Sequence, residues 1–507
     1  MVREHDKSLG EEKQMTAIDA KATKAGASSH GAQMWDQTNW LQIDASVKRL
    51  QVRIAKATRE ARWGKVKSLQ RLLTRSHSGK MLAVKRVTEN RGKNTPGVDG
   101  AIWSTSAARW KGMTTLQHRG YRTMPLRRVY IPKSNGKKRP LGIPCMRCRA
   151  MQALWKLALE PVAETRADPN SYGFRPERST ADATEQCCIT LARRVSPVWI
   201  LEGDIRGCFD NISHQWLLQH IPMDKGVLSK WLRAGYIEEE TLFETKAGTP
   251  QGGVISPTIA NMALDGLEAA VYASVGSTEA TRRQARLNVI RYADDFVITG
   301  ACKEVLEHKV MPAVRTFLAV RGLELSEEKT RITHIAEGFD FLGKNVRKYN
   351  GKFLTKPSRK SIKSLLGKAR EIIKGNATAT QASLVQTLNP IIRGWAMYHR
   401  HSAAKTTFSS IDHRIWQMLW KWAYRRHPKK RAQWVKDRYF QSDGYRNWDF
   451  GTRDAKYRLF RAATVSIKRH VKIRGMANPF DPEWGEYFAH RRATKSTAKW
   501  PGAKPWC

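Results

Sequence analysis

Two adjacent carboxylates, Asp294-Asp295, are the residues of this chain best suited to chemistry. They lie in Arg291-Tyr292-Ala293-Asp294-Asp295-Phe296, with Leu287-Asn288-Val289-Ile290 before and Val297-Ile298-Thr299-Gly300 after. An Asp pair by itself is an ordinary surface turn, where Asp is common. Here β-branched apolar runs flank it on both sides, and these read as strands. The pair then falls at the bend of a hairpin. Neighbouring side chains of a straight strand point to opposite faces, and a bend lets both carboxylates face one site. Carboxylates held together on buried strands are costly unless a cation joins them. Magnesium suits them, as a hard ion that takes carboxylate oxygens alongside substrate phosphates. A third acid, Asp204, ends another apolar run, Val198-Trp199-Ile200-Leu201-Glu202-Gly203-Asp204-Ile205. Three acids from separate strands can hold two magnesium ions about 3.5–4 Å apart. One ion would activate a primer 3′-hydroxyl, and the other would neutralise a triphosphate and its leaving pyrophosphate. Such phosphoryl transfer rests on positioning and charge neutralisation, with no protein nucleophile. The sequence offers nothing for nucleophilic catalysis: it has no Gly-x-Ser-x-Gly and no Cys in a recognisable catalytic setting. Glycine-rich phosphate loops of nucleotide-binding proteins are also absent.

The elements that must position these acids can be read from patterning. Residues 1–32 lack apolar periodicity and read as a flexible tail. From Trp40 the apolar residues recur at helical spacing, and a second helix is expected around Val66-Lys67-Ser68-Leu69-Gln70-Arg71-Leu72-Leu73. Gly92-Lys93-Asn94-Thr95-Pro96-Gly97-Val98-Asp99-Gly100 reads as a loop. Arg127-Arg128-Val129-Tyr130-Ile131-Pro132 and Arg139-Pro140-Leu141-Gly142-Ile143-Pro144 read as a hairpin with cations at its tip, suited to phosphate contact. A helix is expected over 151–164, then a loop carrying Tyr172-Gly173-Phe174-Arg175-Pro176. Ser213 is placed to cap a helix through Trp216, Leu217 and Leu218. Gly248-Thr249-Pro250-Gln251-Gly252-Gly253 is a tight loop, followed by an expected helix over 257–272. A further helix is expected over 305–320 with Gly322 at its C-terminal end. Beyond Pro357 the pattern is helical, with one stripe from Leu384 to Tyr398 and another from Ile411 to Trp422. The tryptophans of this region read first as core. From Trp434 onward the chain is basic with few periodic segments.

The whole chain of 507 residues has room for roughly three domains. Lys and Arg number 90 against 45 Asp and Glu, a net charge of +45 spread from end to end. A field that positive calls for a polyanion, and nucleic acid is the default partner. A hydrophobic share of 41% supports a folded core. No run of 18 apolar residues is present and the first ten residues are charged, so neither a spanning helix nor a secretory signal is expected. Seven scattered cysteines fit a reducing compartment. Cys145-x-x-Cys148 has no second pair and is not read as a zinc site, and Cys187-Cys188 reads as small apolar filling.

A series of motifs in order carries a resemblance. Asp204-x-x-x-x-Phe209-Asp210, Pro250-Gln251-Gly252, Tyr292-Ala293-Asp294-Asp295, Leu325-Ser326-x-x-Lys329-Thr330 and Phe341-Leu342-Gly343 resemble the motif series of reverse transcriptases. With Ile131-Pro132-Lys133, Arg139-Pro140-Leu141-Gly142-Ile143-Pro144, Tyr172-Gly173-Phe174-Arg175-Pro176, Gly97-Val98-Asp99-Gly100 and Gly394-Trp395-x-x-Tyr398-His399, the chain is similar to the group II intron-encoded reverse transcriptase/maturase class. The likeness runs from about Trp35 to about Arg491. It implies an α+β, right-hand polymerase: fingers and a ferredoxin-like antiparallel palm sheet, then an α-helical thumb/maturase domain and a basic C-terminal segment. The expected division is a tail at 1–32, an N-terminal extension at 33–120, fingers and palm at 121–345, the helical domain at 358–432 and a DNA-binding-like segment at 433–507.

The resemblance also implies roles. Asp204, Asp294 and Asp295 would bind two Mg2+ and be catalytic. Lys133 and Arg139 would hold the triphosphate, Gln251 would contact the nucleotide, and Pro250 and Gly252 would shape its loop. Phe209 would be a steric gate against a ribose 2′-hydroxyl. Tyr292, Lys329, Phe341, Leu342 and Gly343 would lie near primer and template. Asp210 stands outside the metal set. Implied partners are intron RNA, an RNA template, a DNA primer or target and deoxynucleoside triphosphates, with no membrane; a homodimer is compatible. A bacterial cytoplasmic, nucleoid-associated protein is expected. Many members continue into a His-Asn-His endonuclease with paired cysteines, and a chain without that domain is expected here. Polymerisation with assistance to splicing is the leading expectation. A polymerase-like splicing factor without catalysis is the alternative, and Phe209 and Ala293 disfavour an RNA-templated RNA polymerase.

Overall fold

The computed structural model describes residues 30–497 except 133–135, 137, 443, 445 and 446. The expected tail therefore lies outside the described residues apart from 30–32, which begin a helical stretch. Helices Trp40–Arg59, Trp63–Arg75 and His77–Thr88 pack around the long helix Met146–Arg166. Asn39 and Ser76 cap two of them, accepting from Gln42 N at 3.2 Å and Gly79 N at 3.0 Å. Ile54, Leu73, Met81 and Leu154 are fully buried between them. Met146–Arg166 starts upstream of the expected 151, and its buried apolar residues run nearly all round it, the pattern of a helix inside a core.

Strands β1 (Leu126–Pro132) and β2 (Lys138–Ile143) form the expected hairpin, with Ile131 opposite Arg139. β3 (Trp199–Asp204) follows in a second sheet. β4 (Tyr236–Glu238) and β5 (Thr241–Phe243) join the first, giving the order β2-β1-β4-β5. β6 (Asn288–Tyr292), β7 (Asp295–Gly300) and β8 (Arg331–His334) complete the second, in the order β6-β7-β3-β8, antiparallel throughout. This is the palm sheet, and both its faces are covered: Leu201, Val289 and Ile298 bury with helices that include Ser256–Leu264 and Met311–Ala319, and Ile200, Ile290 and Val297 bury with helix Thr180–Leu191. β9 (Phe339–Phe341), β10 (Lys344–Tyr349) and β11 (Lys352–Pro357) form a third sheet that carries the chain out of the palm.

Two expected helices are interrupted. The helix over 257–272 divides into Ser256–Leu264 and Leu267–Ala273. Asp265 is extended between them and Gly266 has φ +93°, with its N–H donated to Asp168 Oδ1 at 3.0 Å. The helix over 305–320 contains a π turn, Leu306–Val310, before Met311–Ala319. Pro312 has no N–H for the carbonyl four residues back, so the ladder loosens ahead of it. Gly322 ends that helix as expected, at φ +72°.

Helices Arg359–Gly375, Gln381–His399, Lys405–Arg425 and Ala432–Tyr439 have a separate core of Leu388, Phe408, Ile415 and Leu419. Trp422 is in it and Trp395, Trp416 and Trp420 pack against it, while Trp434 and Trp448 are exposed. That core also takes Phe440, Phe450, Ala462 and Val465. The expected boundary at 432/433 thus falls inside a packed unit, because the apolar residues after it are too widely spaced to show periodicity. Farther on, the chain crosses back to the palm. Ile473, Ala477 and Phe488 bury with Tyr172, Ile200 and Val297. Asp182, fully buried, binds this strap: it accepts from His470 Nε2, Ile473 N and Arg491 Nη2, each at 2.8 Å. No helix among the described residues is long and apolar enough to cross a membrane.

Candidate active site

Antiparallel register brings the three acids together. Asp204, last in β3, pairs with Asp295, first in β7. Tyr292 also pairs with Asp295, so Ala293 and Asp294 form a two-residue turn, with Ala293 at φ +59°. Gly203 lets the strands approach: a Cβ there would lie 2.2 Å from the Phe296 ring.

Burial first, then Asp294, Asp204 and a hydrogen bond with Asp204, push the Asp295 carboxyl up to about 7. Burial and Asp204 also raise Asp294, against the pull of Arg139 and Lys329. Lys329 Nζ donates to Asp204 Oδ2 at 2.7 Å, and that bond raises its own ammonium. Among the described residues no three His, Cys, Asp or Glu side chains converge as a closed metal cluster. The donor set fits hard divalent cations nonetheless. Asp294 and Asp295, both raised, hold their negative charge with difficulty in this group, and Lys329 already supplies positive charge to Asp204.

The residues expected on the nucleotide side converge through glycine contacts. Gly248, at φ +83°, lies so close to Asp210 that a Cβ would meet its backbone at 2.5 Å. Thr249 N donates to Phe209 O at 2.6 Å. Gly252, at φ +108°, lies against the Gly142 carbonyl, and Gly142 N donates to Gln251 O at 2.7 Å. The loop holding Pro250 and Gln251 is thereby wedged between Phe209 and the β1–β2 hairpin that carries Arg139. Gln251 Nε2 donates to Asp210 Oδ2 at 2.8 Å, so Asp210 orients Gln251. The Phe209 ring meets Phe174 edge to face at 6.1 Å. Arg139 is exposed, and its charge reaches Asp294. Lys133 lies outside the described residues. Tyr292 is half-buried beside Tyr398, and Phe341, Leu342 and Gly343 form the tip of the β9–β10 hairpin.

Three family descriptions match this chain: N-terminal domain of reverse transcriptase at 35–116, reverse transcriptase (RNA-dependent DNA polymerase) at 131–346, and group II intron, maturase-specific domain at 362–440. Protein YkfC of Escherichia coli is 33% identical over 316 residues, 54% of this chain and 82% of YkfC. The group II intron-encoded protein LtrA of Lactococcus lactis is 30% identical over 329 residues, 52% of this chain and 54% of LtrA. The chain belongs to the group II intron-encoded reverse transcriptase/maturase family. A putative COX1/OXI3 intron 2 protein of Saccharomyces cerevisiae is 28% identical over 285 residues, 45% of this chain and 32% of that protein. The chain therefore spans about half of LtrA and a third of the yeast protein.

In this family member the hairpin has a buried support that the motif reading left out. Arg291, 1% exposed, donates to Asp265 Oδ1 at 2.5 Å, Asn261 Oδ1 at 3.2 Å and Ala293 O at 3.5 Å. Asn261 Nδ2 donates to Gly173 O at 2.6 Å, tying the Tyr172-Gly173-Phe174 loop to the same network. Gly173 itself lies against Ala293 N, 2.4 Å from where its Cβ would be. Arg175 is a buried strut rather than a substrate-facing cation: its guanidinium binds Glu164 through two nitrogens, at 2.8 and 3.0 Å. A charged residue inside an apolar strand, as Arg291 is, was the available signal.

Proposed function

We propose that this protein is an RNA-directed DNA polymerase that extends a DNA primer on an RNA template and binds its intron RNA to assist splicing and mobility. The observation that carries the reading is the register of Asp204 opposite Asp295, with Asp294 at the adjoining turn. These three carboxylates would hold two divalent ions, and Mg2+ is the natural choice for carboxylate and phosphate oxygens. When bound, the ions supply charge neutralisation on the triphosphate and a more acidic primer hydroxyl.

The chain's own residues do the rest. Arg139, with Lys133 as its partner, would grip triphosphate oxygens, a task that suits a planar guanidinium. Phe209, steadied by Phe174, would close the space that a ribose 2′-hydroxyl needs. Gln251, held by Asp210, would meet the nucleotide from the loop that Pro250 and Gly252 shape. Lys329 would release Asp204 as cations enter and then lie beside the primer, with Tyr292 and the Phe341-Leu342-Gly343 tip. Net charge +45 suits intron RNA, template and target DNA as partners, and with them a nucleoid location in a bacterial cytoplasm.

Primer extension on an RNA template with Mg2+ tests the reading. Wild type should incorporate deoxynucleotides, and Asp294→Ala should lose at least 1000-fold, as expected on removing a principal source of transition-state charge stabilisation (~4 kcal/mol). A wild-type protein that binds intron RNA and extends nothing would instead be a splicing factor with a polymerase fold.

A further inference from the structure

The β9–β10 hairpin turns through Leu342 and Gly343, both left-handed, at φ +51° and +70°. Glycine adopts that conformation freely, whereas in a leucine it crowds Cβ against the backbone and is strained. Something outside the turn must hold it. Both turn carbonyls accept from the helical unit that follows: Tyr398 Oη donates to Leu342 O at 2.8 Å, and Ser358 N donates to Gly343 O at 3.0 Å. Tyr398 stands in the last turn of helix Gln381–His399, 56 residues beyond Leu342. Burial pushes its phenol up and the nearby Thr180 side chain, at the start of palm helix Thr180–Leu191, pulls it down. Lys344, almost fully buried, has its ammonium 5.7 Å from the Tyr398 ring centroid. On the other side, Tyr398 neighbours Tyr292 of the acidic hairpin. One side chain of the maturase-specific region thus bonds the strained turn and stands near both a palm helix and the residue two before Asp294.

We propose that Tyr398 is a positioning residue for polymerisation: its hydroxyl fixes the Leu342-Gly343 turn against the palm and so sets where the primer terminus lies relative to Asp294 and Asp295. This rests on the polymerase reading and on the primer lying at that turn. The helical unit, matched by a maturase description, is thereby part of the polymerase site as well as a neighbour of it. Ser358 contributes through its backbone, so Tyr398 is the side chain whose loss frees the turn.

The test is Tyr398→Phe in the full chain, which keeps the ring and removes only the hydroxyl. Steady-state extension of a DNA primer annealed to RNA is measured with Mg2+, titrating primer–template and deoxynucleotide separately. The expected result is a three- to tenfold loss in kcat/KM for primer–template, the range of one net hydrogen bond, with KM for deoxynucleotide and the thermal midpoint unchanged. Tyr398→Ala should lose more, and Leu342→Gly should make activity insensitive to Tyr398→Phe, because a glycine turn needs no outside support. Wild-type kinetics from Tyr398→Phe, or a loss shared equally with nucleotide KM and thermal midpoint, would overturn the inference while leaving the polymerase reading intact. Absence of any extension by wild type would sink that reading and the inference together.

Discussion

Arg291→Met tests the support under the acidic hairpin. The substitution keeps the apolar stem and removes the guanidinium. Asp265, 11% exposed, would lose its cation, and Asn261 Oδ1 and Ala293 O would each lose a donor. Removing one member of a buried pair typically costs about 3–5 kcal/mol. Here the cost depends on pH. Burial already pushes the Asp265 carboxyl up to about 6, with Arg291 pulling against it. Without Arg291 the carboxyl moves farther up and takes a proton near neutrality, which holds the cost toward the lower end of that range. A carboxyl raised in the folded state binds its proton more tightly there, so its penalty is present above the folded pKa. The penalty fades as pH falls toward the unfolded value of about 4. Arg291→Met should therefore be about 3–4 kcal/mol less stable than wild type at pH 8, with a gap that narrows toward pH 5. Urea unfolding across that range, followed by tryptophan fluorescence, measures it. Arg291→Met/Asp265→Leu should recover most of the loss, because replacing both members of a buried pair with apolar groups is often neutral. Primer extension should stay impaired in the double variant, since Ala293 O still lacks its donor. A single variant within about 1 kcal/mol of wild type, or a double variant that adds a further loss, would refute the reasoning.

Other expectations follow from contacts of the same kind. Asp182→Asn should loosen the strap at 470–491, read as faster limited proteolysis there with the helical unit intact. Burial opposes the Asp182 charge, but His470, Ser179 and Ile473 N hold its carboxyl well below the usual range. Its stabilising contribution is therefore present above about pH 4 and lost as pH falls lower, and Asp182→Asn should remove that acid dependence. Gly203→Ala would drive a Cβ into the Phe296 ring; overpacking of this kind costs about 1–3 kcal/mol, and Phe296→Leu should relieve it, as thermal midpoints of the two variants would show. Phe209→Ala should raise ribonucleotide incorporation relative to deoxynucleotide while leaving primer–template KM unchanged, measured by competing triphosphates in single-turnover extension.

The elements of this site were legible for a physical reason. β3, β6 and β7 are short β-branched runs bounded by turn residues, so their ends announce where Asp204, Asp294 and Asp295 fall. The loop at 248–253 announced itself through glycines whose close approaches the structure bears out. The joints between elements were not legible. Asp265 and Gly266 lie inside what reads as one continuous helix, and partners far along the chain, Arg291 for Asp265 and Asp168 for Gly266, explain why the helix stops there. The strap around Ile473 lies in the stretch whose composition is basic and aperiodic and which the resemblance implies to be DNA-binding-like. It is aperiodic because it is extended chain, bonded in part to the side chains of Asp182 and Arg178.

Charge counting failed at the same joints. Arg149 bonds the carbonyls of Gly92, Thr95 and Pro144. Arg178 bonds Glu164 and the Ala477 carbonyl, and Arg491 bonds Asp182 and the Val471 carbonyl. Each fastens segments distant in sequence. A guanidinium presents five donors in a rigid plane and can satisfy several acceptors at one junction, which a lysine ammonium cannot match in geometry. The basic excess therefore has two populations, and only the exposed one, such as Arg139, can meet a polyanion. Arg149→Lys should accordingly loosen the loop at 92–100, whereas Lys→Arg changes on exposed helix faces should leave both fold and RNA affinity near wild type.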